Sequence, residues 1–254
     1  SPRLPDPPTP ARIGAMPAID PIAAARAARD LPALDAVISD CSACPRLVAW
    51  REEQARVKVA RFRDETYWGR AVPGFGDPRA RILLVGLAPG AHGANRTGRV
   101  FTGDASGDFL WRALHAVGLA DRPVGRRASD GLTLNGVRVL AAVRCAPPAN
   151  KPTPTEIASC REYLTREWAL LRDVRAVLVL GRIALDGFLA MLRETGRDVP
   201  RGLAFGHGVV HDLGGGVRLF CSFHVSQQNT FTGRLTPRSF DAVLAKVKRH
   251  LVRG

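Results

Sequence analysis

Residues 81–90 read RILLVGLAPG, a short apolar run that ends in an Ala-Pro-Gly turn. A continuous run of this kind is typical of a buried parallel strand that leads into a loop. Similar runs recur at residues 137–143 and 174–180, and a shorter one spans residues 219–223. Helical patterns separate these runs. We therefore predict an α/β fold: a three-layer α/β/α sandwich with a central, mostly parallel four-stranded sheet.

The clearest helix signal lies at residues 154–171. Thr153 can cap this helix, Pro154 suits its first turn and Glu156 completes a capping box. The other predicted helices span residues 22–40 (as one or two helices), 48–62, 109–117, 182–193 and 237–252. Residues 1–21 are rich in proline and alanine and are predicted to form a flexible tail. Residues 22–254 are then expected to form a single domain.

The chain is strongly basic, with 37 Lys and Arg against 23 Asp and Glu and a net charge of +14. Such an excess favours a polyanionic partner, because each neutralised phosphate releases condensed counterions. A basic proteome encoded by a GC-rich genome would give the same excess. The sequence contains no apolar run near the roughly 20 residues that span a bilayer and no export signal. We expect a monomeric, cytoplasmic and nucleoid-associated protein without a membrane partner.

Four of the five cysteines form two pairs that are far apart in the sequence. Cys41 and Cys44 make a CxxC, whereas 14 residues separate Cys145 from Cys160. Disulfides are disfavoured in a reducing cytosol. Four thiolates can build a zinc site or ligate an iron–sulfur cluster, and the residues alone leave both open, beside the alternative of unrelated buried thiols. Either metal would fasten the N-terminal helical segment to the sheet and so have a structural role. Cys221 lies in an apolar strand and is expected in the core.

Three polar loops follow predicted strands and should converge on one cleft, because ligands bind beyond the carboxyl ends of parallel strands. Residues 86–107 read GLAPGAHGANRTGRVFTGDASG, a glycine-rich loop without a P-loop pattern. Residues 144–151 read RCAPPANK, and residues 222–236 read SFHVSQQNTFTGRLT. A long polar loop with an embedded aromatic residue indicates a functional role rather than a plain connection.

These three strings resemble the uracil-DNA glycosylase superfamily, most closely its family 5, over residues 38–250. The resemblance implies excision of uracil from DNA, double- or single-stranded, with tolerance for hypoxanthine, xanthine and some etheno adducts. Two positions depart from the pattern of other branches. Ala88 stands where they carry a water-positioning Asp or Asn, and Val225 replaces the proline of a His-Pro-Ser motif. The resemblance also implies a [4Fe–4S] cluster, whose ligands would be Cys41, Cys44, Cys145 and Cys160.

A base inside a duplex is inaccessible, so such an enzyme must first rotate the nucleotide out of the stack. We predict that Phe101 stacks on the extruded base and that His224 donates a hydrogen bond to the departing base oxygen. Asp104 is expected to stabilise the sugar cation and to orient the water. Asn150 would pair with the base edge or hold the water. Further base contacts are expected from Ala88, His92 and Asn95.

The last loop is predicted to enter the minor groove, where Gln227, Gln228 or Phe231 would fill the vacated space. Predicted phosphate contacts are Arg96, Arg99, Lys151 and Arg234. One alternative is a non-catalytic, basic, metal-stabilised DNA-binding module, which would leave Asp104 and the glycine-rich loop without a role. Another is covalent capture of the abasic product, which is expected to need a basic insertion ending in a histidine. The sequence lacks that insertion.

Overall fold

One six-stranded sheet forms the centre of the computed structural model, which describes residues 20–253. The strands are β1 (Phe75–Gly76), β2 (Ile82–Gly86), β3 (Val137–Ala141), β4 (Ala176–Leu180), β5 (Val210–Asp212) and β6 (Arg218–Ser222). Their order is β1-β3-β2-β4-β6-β5, and the four inner strands are parallel while both edge strands are antiparallel. The predicted α/β class and parallel sheet are confirmed. The predicted count of four strands is wrong, because it omits the two short edge strands.

Helices flank this sheet. Within residues 20–253 they are α1 (Pro21–Ala27), α2 (Leu31–Ser39), α3 (Pro45–Val57), α4 (Ala94–Thr97), α5 (Ala105–Ala116), α6 (Pro154–Leu170), α7 (Arg182–Glu194), α8 (Gln227–Phe231) and α9 (Pro237–Arg253). Short 3₁₀ turns occupy Ala60–Phe62 and Pro148–Asn150. No helix in the described part of the chain combines the length and the apolar character needed to cross a bilayer.

The inner strands are apolar throughout because both faces of the sheet are buried. Ile82 and Leu84 of β2 point into a core that Leu110 of α5 and Phe240 of α9 also enter. The alternate residues Leu83 and Val85 point to the opposite core, which α6 and α7 cover with Leu164, Leu185 and Phe188. A third cluster joins α1 and α2 to α6 and contains cysteines of both predicted pairs.

Local signals decide where several helices begin and end. The predicted capping box of α6 is confirmed, with Thr153 and Glu156 bonding each other's backbone. The predicted helix 48–62 instead ends at Val57, since Lys58 takes a left-handed φ of 57°. Helix α5 begins four residues before its predicted start because Asp104 caps it.

The predicted tail of residues 1–21 falls almost entirely outside the described residues. Its last two positions do not belong to a tail, since Asp20 caps α1 and Pro21 is the first residue of that helix. Residues 1–19 are not described.

Candidate active site

A cavity of about 1350 Å³ opens at the carboxyl ends of the parallel strands. The three polar loops that follow β2, β3 and β6 all contribute to its wall. These loops therefore meet as the strand order predicts. The predicted site residues that line this cavity are Ala88, Arg96, Phe101, Asp104, Asn150, Lys151, His224, Gln227 and Gln228.

Phe101 presents an aromatic ring at the end of β2. Its backbone has a φ of 49°, which is an outlier for a bulky residue, and its ring lies against the backbone of Gly86. The ring centroid is 6.1 Å from that of His224, and the two planes are inclined by 33°. Non-glycine residues in this conformation cluster at binding sites, where the surrounding structure holds them.

The two carboxylate oxygens of Asp104 make different contacts. Oδ1 accepts a hydrogen bond from the backbone N–H of Gly107 at 3.0 Å and caps α5. Oδ2 lies against Gly93, where a side chain would displace the Asp104 carboxylate from its present position. Burial raises the pKa of Asp104, although the backbone N–H groups of Gly107 and Ser106 partly offset this effect. A partly desolvated carboxyl group thus faces the cavity.

His224 is an uncharged imidazole at neutral pH, because burial lowers its pKa to about 4. The loop around it is held by hydrogen bonds. Asn229 Nδ2 donates to the backbone oxygen of His224 at 2.8 Å, and the Ser226 side chain caps α8. Val225 is buried in the core beneath the loop. This packing and the Asn229 bond position His224 without the proline of other branches.

Asn150 stands on a strained turn at the edge of the cavity. Ala149 and Asn150 both take positive φ values, 51° and 56°, and such values are uncommon for alanine. The turn leaves Asn150 and its neighbour Lys151 exposed at the cavity wall. Their amide and ammonium groups are therefore accessible to a bound ligand.

Two predicted base contacts lie away from the cavity. Asn95 is fully buried, and its Nδ2 donates to the backbone oxygen of Arg51 at 3.1 Å. His92 is half-buried, with its Nδ1 3.1 Å from the Tyr67 hydroxyl. Neither side chain lines the cavity. For Asn95 the predicted base contact is wrong, because its side chain is used inside the fold. For half-buried His92 the base contact stays a prediction.

Two residues that were predicted to contact phosphates instead bond to groups inside the protein. Arg96 is buried, pairs with Glu65, and its Nη2 donates to the backbone oxygen of Gly103 at 2.8 Å. Arg99 is only 3% exposed and forms an ion pair of 2.7 Å with Asp130. These guanidinium groups stabilise the first loop and are not free for DNA.

Two further predicted DNA contacts, Phe231 and Arg234, lie on the rim formed by residues 222–236. Phe231, at the end of α8, is 80% exposed, which is unusual for a large apolar side chain. Arg234 is exposed, with its guanidinium 4.4 Å from the centre of the Phe223 ring. Both side chains lie outside the cavity itself and face solvent.

Two wall segments were not predicted from the sequence. Arg61, Phe62, Glu65 and Thr66 come from the chain that follows α3, and Gly125, Arg126 and Arg127 come from the connection between α5 and β3. The predicted helix 48–62 includes Arg61 and Phe62, and a helical pattern gives no signal that these two side chains reach a cavity. The second segment carries adjacent arginines, which were a usable signal.

The four predicted cysteine ligands pack into or against one apolar cluster, which also contains Tyr163. Arg51 Nη1 donates to Cys145 Sγ at 2.9 Å. This guanidinium is buried, its Nε has no hydrogen-bond partner, and it pairs with no carboxylate of residues 20–253. A buried cation needs an anion nearby, and thiolates that ligate a metal would provide one. The donor set therefore fits a thiolate-bound group, although no three His, Cys, Asp or Glu side chains of the described chain are arranged for a single metal ion.

Comparisons with known proteins agree with this geometry. The family model of the Uracil DNA glycosylase superfamily matches residues 73–248. A type-5 uracil-DNA glycosylase of Mycobacterium tuberculosis is 54% identical over 217 residues, which cover 85% of this chain and 80% of that protein. A type-5 uracil-DNA glycosylase of Thermus thermophilus is 54% identical over 222 residues, 87% of this chain and 98% of that protein. A type-4 uracil-DNA glycosylase of Pyrobaculum aerophilum is 29% identical over 164 residues, 64% of this chain and 66% of that protein.

The chain thus belongs to the uracil-DNA glycosylase superfamily, whose relatives are enzymes of DNA repair. Within that superfamily it belongs with the type-5 uracil-DNA glycosylases, which are hydrolases that act on N-glycosyl bonds. The protein is therefore an enzyme and not the alternative, a non-catalytic DNA-binding module.

Proposed function

We propose that this glycosylase flips uracil and other deaminated bases out of DNA, hydrolyses their N-glycosidic bond and leaves an abasic site. Hypoxanthine, xanthine and some etheno adducts belong to the proposed substrate range. The observation that carries the proposal is that Phe101, Asp104 and His224, from two separate loops, line one cavity.

In the proposed chemistry, two side chains each stabilise one of the two charges that form when the glycosidic bond breaks. When the glycosidic bond breaks, its electron pair leaves with the base and the sugar becomes cationic. His224, uncharged at neutral pH, donates a hydrogen bond to the base oxygen that gains charge. The ionised Asp104 stabilises the sugar cation and orients the water whose oxygen adds to the sugar and whose proton is released. Asn150 holds either this water or the base edge.

The proposed breadth of substrates follows from the inner wall of the cavity. Ala88 offers no hydrogen bond, and the Nδ2 of Asn229 is bonded to the backbone of His224. The other wall amides, from Asn150, Gln227 and Gln228, are at exposed positions. A site rejects a wrong ligand strongly only when that ligand leaves buried polar groups unpaired. Purines should therefore be tolerated.

An excision assay tests both the reaction and its breadth. Labelled duplexes of one sequence would carry uracil, hypoxanthine or no lesion, and alkaline cleavage would reveal abasic sites. We expect cleavage at uracil and at hypoxanthine, with the undamaged duplex intact. A preference for uracil of about 10⁴-fold or more is what a strict polar reader produces, and it would contradict the proposed breadth. No cleavage at any deaminated base would contradict the proposed function.

We further propose that the rim loop fills the space that the flipped nucleotide leaves. Gln227 and Gln228 are exposed at the cavity wall, and Phe231 stands exposed beside them on α8. Apolar and amide side chains are suited to insertion between base steps. Arg234 and Lys151, both exposed, are proposed to contact phosphates.

Phe231→Ala is expected to slow uracil excision from a duplex while leaving excision from single-stranded DNA nearly unchanged, because only a duplex has a stack to refill. Unstacking costs a few kcal/mol, so a loss of about tenfold or more is expected in single-turnover assays. Val252→Ala is the matched control, since Val252 is an equally exposed apolar residue near the end of α9. Equal slowing on both substrates would contradict the insertion.

A structural [4Fe–4S] cluster on Cys41, Cys44, Cys145 and Cys160 is also proposed. Its support is that three of these cysteines are buried in one cluster with Cys44 packed against it, and that the buried Arg51 bonds Cys145. The bound cluster would supply cross-links rather than chemistry, since it would fasten the segment of α2 and α3 to α6. Arg51 would balance part of its negative charge.

A further inference from the structure

The connection between α5 and β3 is unusually long for a link between packed elements. It comprises the twenty residues 117–136, whereas such links have a median of about 4–6 residues. Its two arms pair with each other through a bridge between Ala120 and Leu134 and a hydrogen bond of 3.1 Å from Asp121 N to Thr133 O. Its tip, at residues 125–127, reaches the wall of the active-site cavity. We call residues 117–136 the returning loop.

Asp130 holds the tip of the returning loop in one conformation. Its carboxylate accepts two hydrogen bonds from Arg99, at 2.7 and 2.8 Å. It also accepts bonds from the backbone N–H groups of Arg126, Arg127 and Leu132, at 2.7, 3.2 and 3.0 Å. Burial opposes the charge of this carboxylate, but Arg99 and the three N–H groups outweigh it and hold its pKa well below the ordinary value. The tip is therefore fastened by an ionised group.

Gly125 seats the tip directly on the anchoring side chains. A Cβ at this position would lie 2.7 Å from Arg99 Nη2 and 2.8 Å from Trp111 Nε1, so a larger residue would lift the tip. Arg99 itself is buried and packs over the ring of Phe75 at 4.8 Å. The first active-site loop, which carries Arg99, thus fixes the returning loop beside the cavity.

The two arginines at the tip of the returning loop differ from the arginines of the first loop. Arg126 and Arg127 are exposed, and among residues 20–253 neither guanidinium has an ion-pair or hydrogen-bond partner. Arg96 and Arg99, by contrast, are buried and paired. Two exposed cations on a fastened backbone, next to the cavity, can each donate hydrogen bonds to a phosphate of a bound strand.

We propose that the returning loop is a DNA-binding element in which Arg126 and Arg127 contact backbone phosphates beside the flipped nucleotide, while buried Arg99 and Asp130 position them. The proposal rests on the proposed base flipping, since the cavity defines where the strand lies. It also gives Arg99 a role different from the direct phosphate contact that its sequence position suggested.

The salt dependence of DNA binding tests this element. Each phosphate contact contributes about 0.9 to the slope of log K against log salt, so Arg126→Ala/Arg127→Ala should reduce the slope by about two for a uracil-containing duplex. The charge-matched control is Arg172→Ala/Arg249→Ala. Both of these residues are exposed, and they lie before β4 and near the end of α9, at the opposite end of the strands from the cavity.

A second pair of substitutions separates charge from folding. Arg126→Lys/Arg127→Lys keeps both positive charges and should retain most of the slope, because lysine also binds phosphate as a point charge. A slope for the alanine pair equal to that of the control pair would overturn the proposal. Binding is measured on a duplex whose uracil nucleotide carries a non-hydrolysable sugar, so that no excision occurs during the titration. Failure of the wild-type protein to excise ordinary uracil would contradict the proposed function and not this element.

Discussion

Asp104→Asn is expected to lower the single-turnover rate of uracil excision by about 10²- to 10⁴-fold, the range for a positioned acid or base group. The affinity for DNA should stay close to that of wild type. The reason is that Asn keeps the size and hydrogen bonding of the side chain but lacks the charge that stabilises the sugar cation. Comparing the excision rate at saturating DNA with the dissociation constant of the same duplex checks both statements.

The capping role of Asp104 makes Asn the informative substitution. Asp and Asn cap a helix about equally well, whereas Ala costs about 1 kcal/mol of stability. If Asp104 only capped α5, Asp104→Asn would excise uracil at the wild-type rate and Asp104→Ala would mainly lower the melting temperature. If it acts on the reaction, both variants lose rate. An equal loss of rate and of DNA affinity would contradict the assignment.

The pH dependence of the rate follows from the same carboxyl group. Burial raises the pKa of Asp104, so the reactive, ionised form is lost at a higher pH than for an ordinary aspartate as the solution is acidified. The rate should therefore rise with pH through this pKa. His224 has a pKa of about 4 and stays uncharged above it, so it does not cause a decline at higher pH. The acidic decline should be absent in Asp104→Asn.

Cys160→Ala is expected to remove the iron–sulfur cluster and to lower the melting temperature by about 10 °C or more. Metal binding by small thiolate sites is worth on the order of 10 kcal/mol, and each kcal/mol shifts the melting temperature of a chain of this size by about 2–4 °C. The measurements are iron and acid-labile sulfide per chain, visible absorbance, and thermal unfolding.

Cys221→Ala is the control for the loss of a buried thiol. Cys221 is as buried as Cys160 but lies in β6, in the core that α7 covers, away from the other four cysteines. The Cys221→Ala variant should keep the iron and lose only packing energy, about 1 kcal/mol of folding stability. Zinc in place of iron in the wild-type protein would contradict the proposed cluster, and so would unchanged iron in Cys160→Ala.

Continuous apolar runs made the four parallel strands predictable, because a strand buried on both faces is apolar throughout. The edge strands gave no such signal. β1 has only two residues, and β5 is short and largely exposed. The capping box of α6 was readable because its partners are three residues apart. Short helices such as α4 and α8 lie inside polar loops and have no periodicity to detect.

The site was predictable as a set of loops but not side chain by side chain. Strand order brings the three loops together, and the structure places Phe101, Asp104 and His224 in one cavity. In the sequence, Arg99 and Asn95 cannot be distinguished from residues whose side chains face the cavity. Their partners, Asp130 and the backbone of Arg51, lie 31 and 44 positions away, and no local pattern reveals such pairing. Only the contacts with these distant partners show that Arg99 and Asn95 are buried and do not face a ligand.

The cysteines that pack in and against one cluster come from positions far apart in the sequence. Cys41 and Cys44 leave the ribosome long before Cys160, which follows only after three strands and the first turns of α6. The proposed cluster therefore cannot fasten the N-terminal helices while β1, β2 and β3, half of the six strands, are being synthesised. The proposed iron–sulfur cluster therefore cannot have all four of its cysteine ligands until the first turns of α6 have been synthesised.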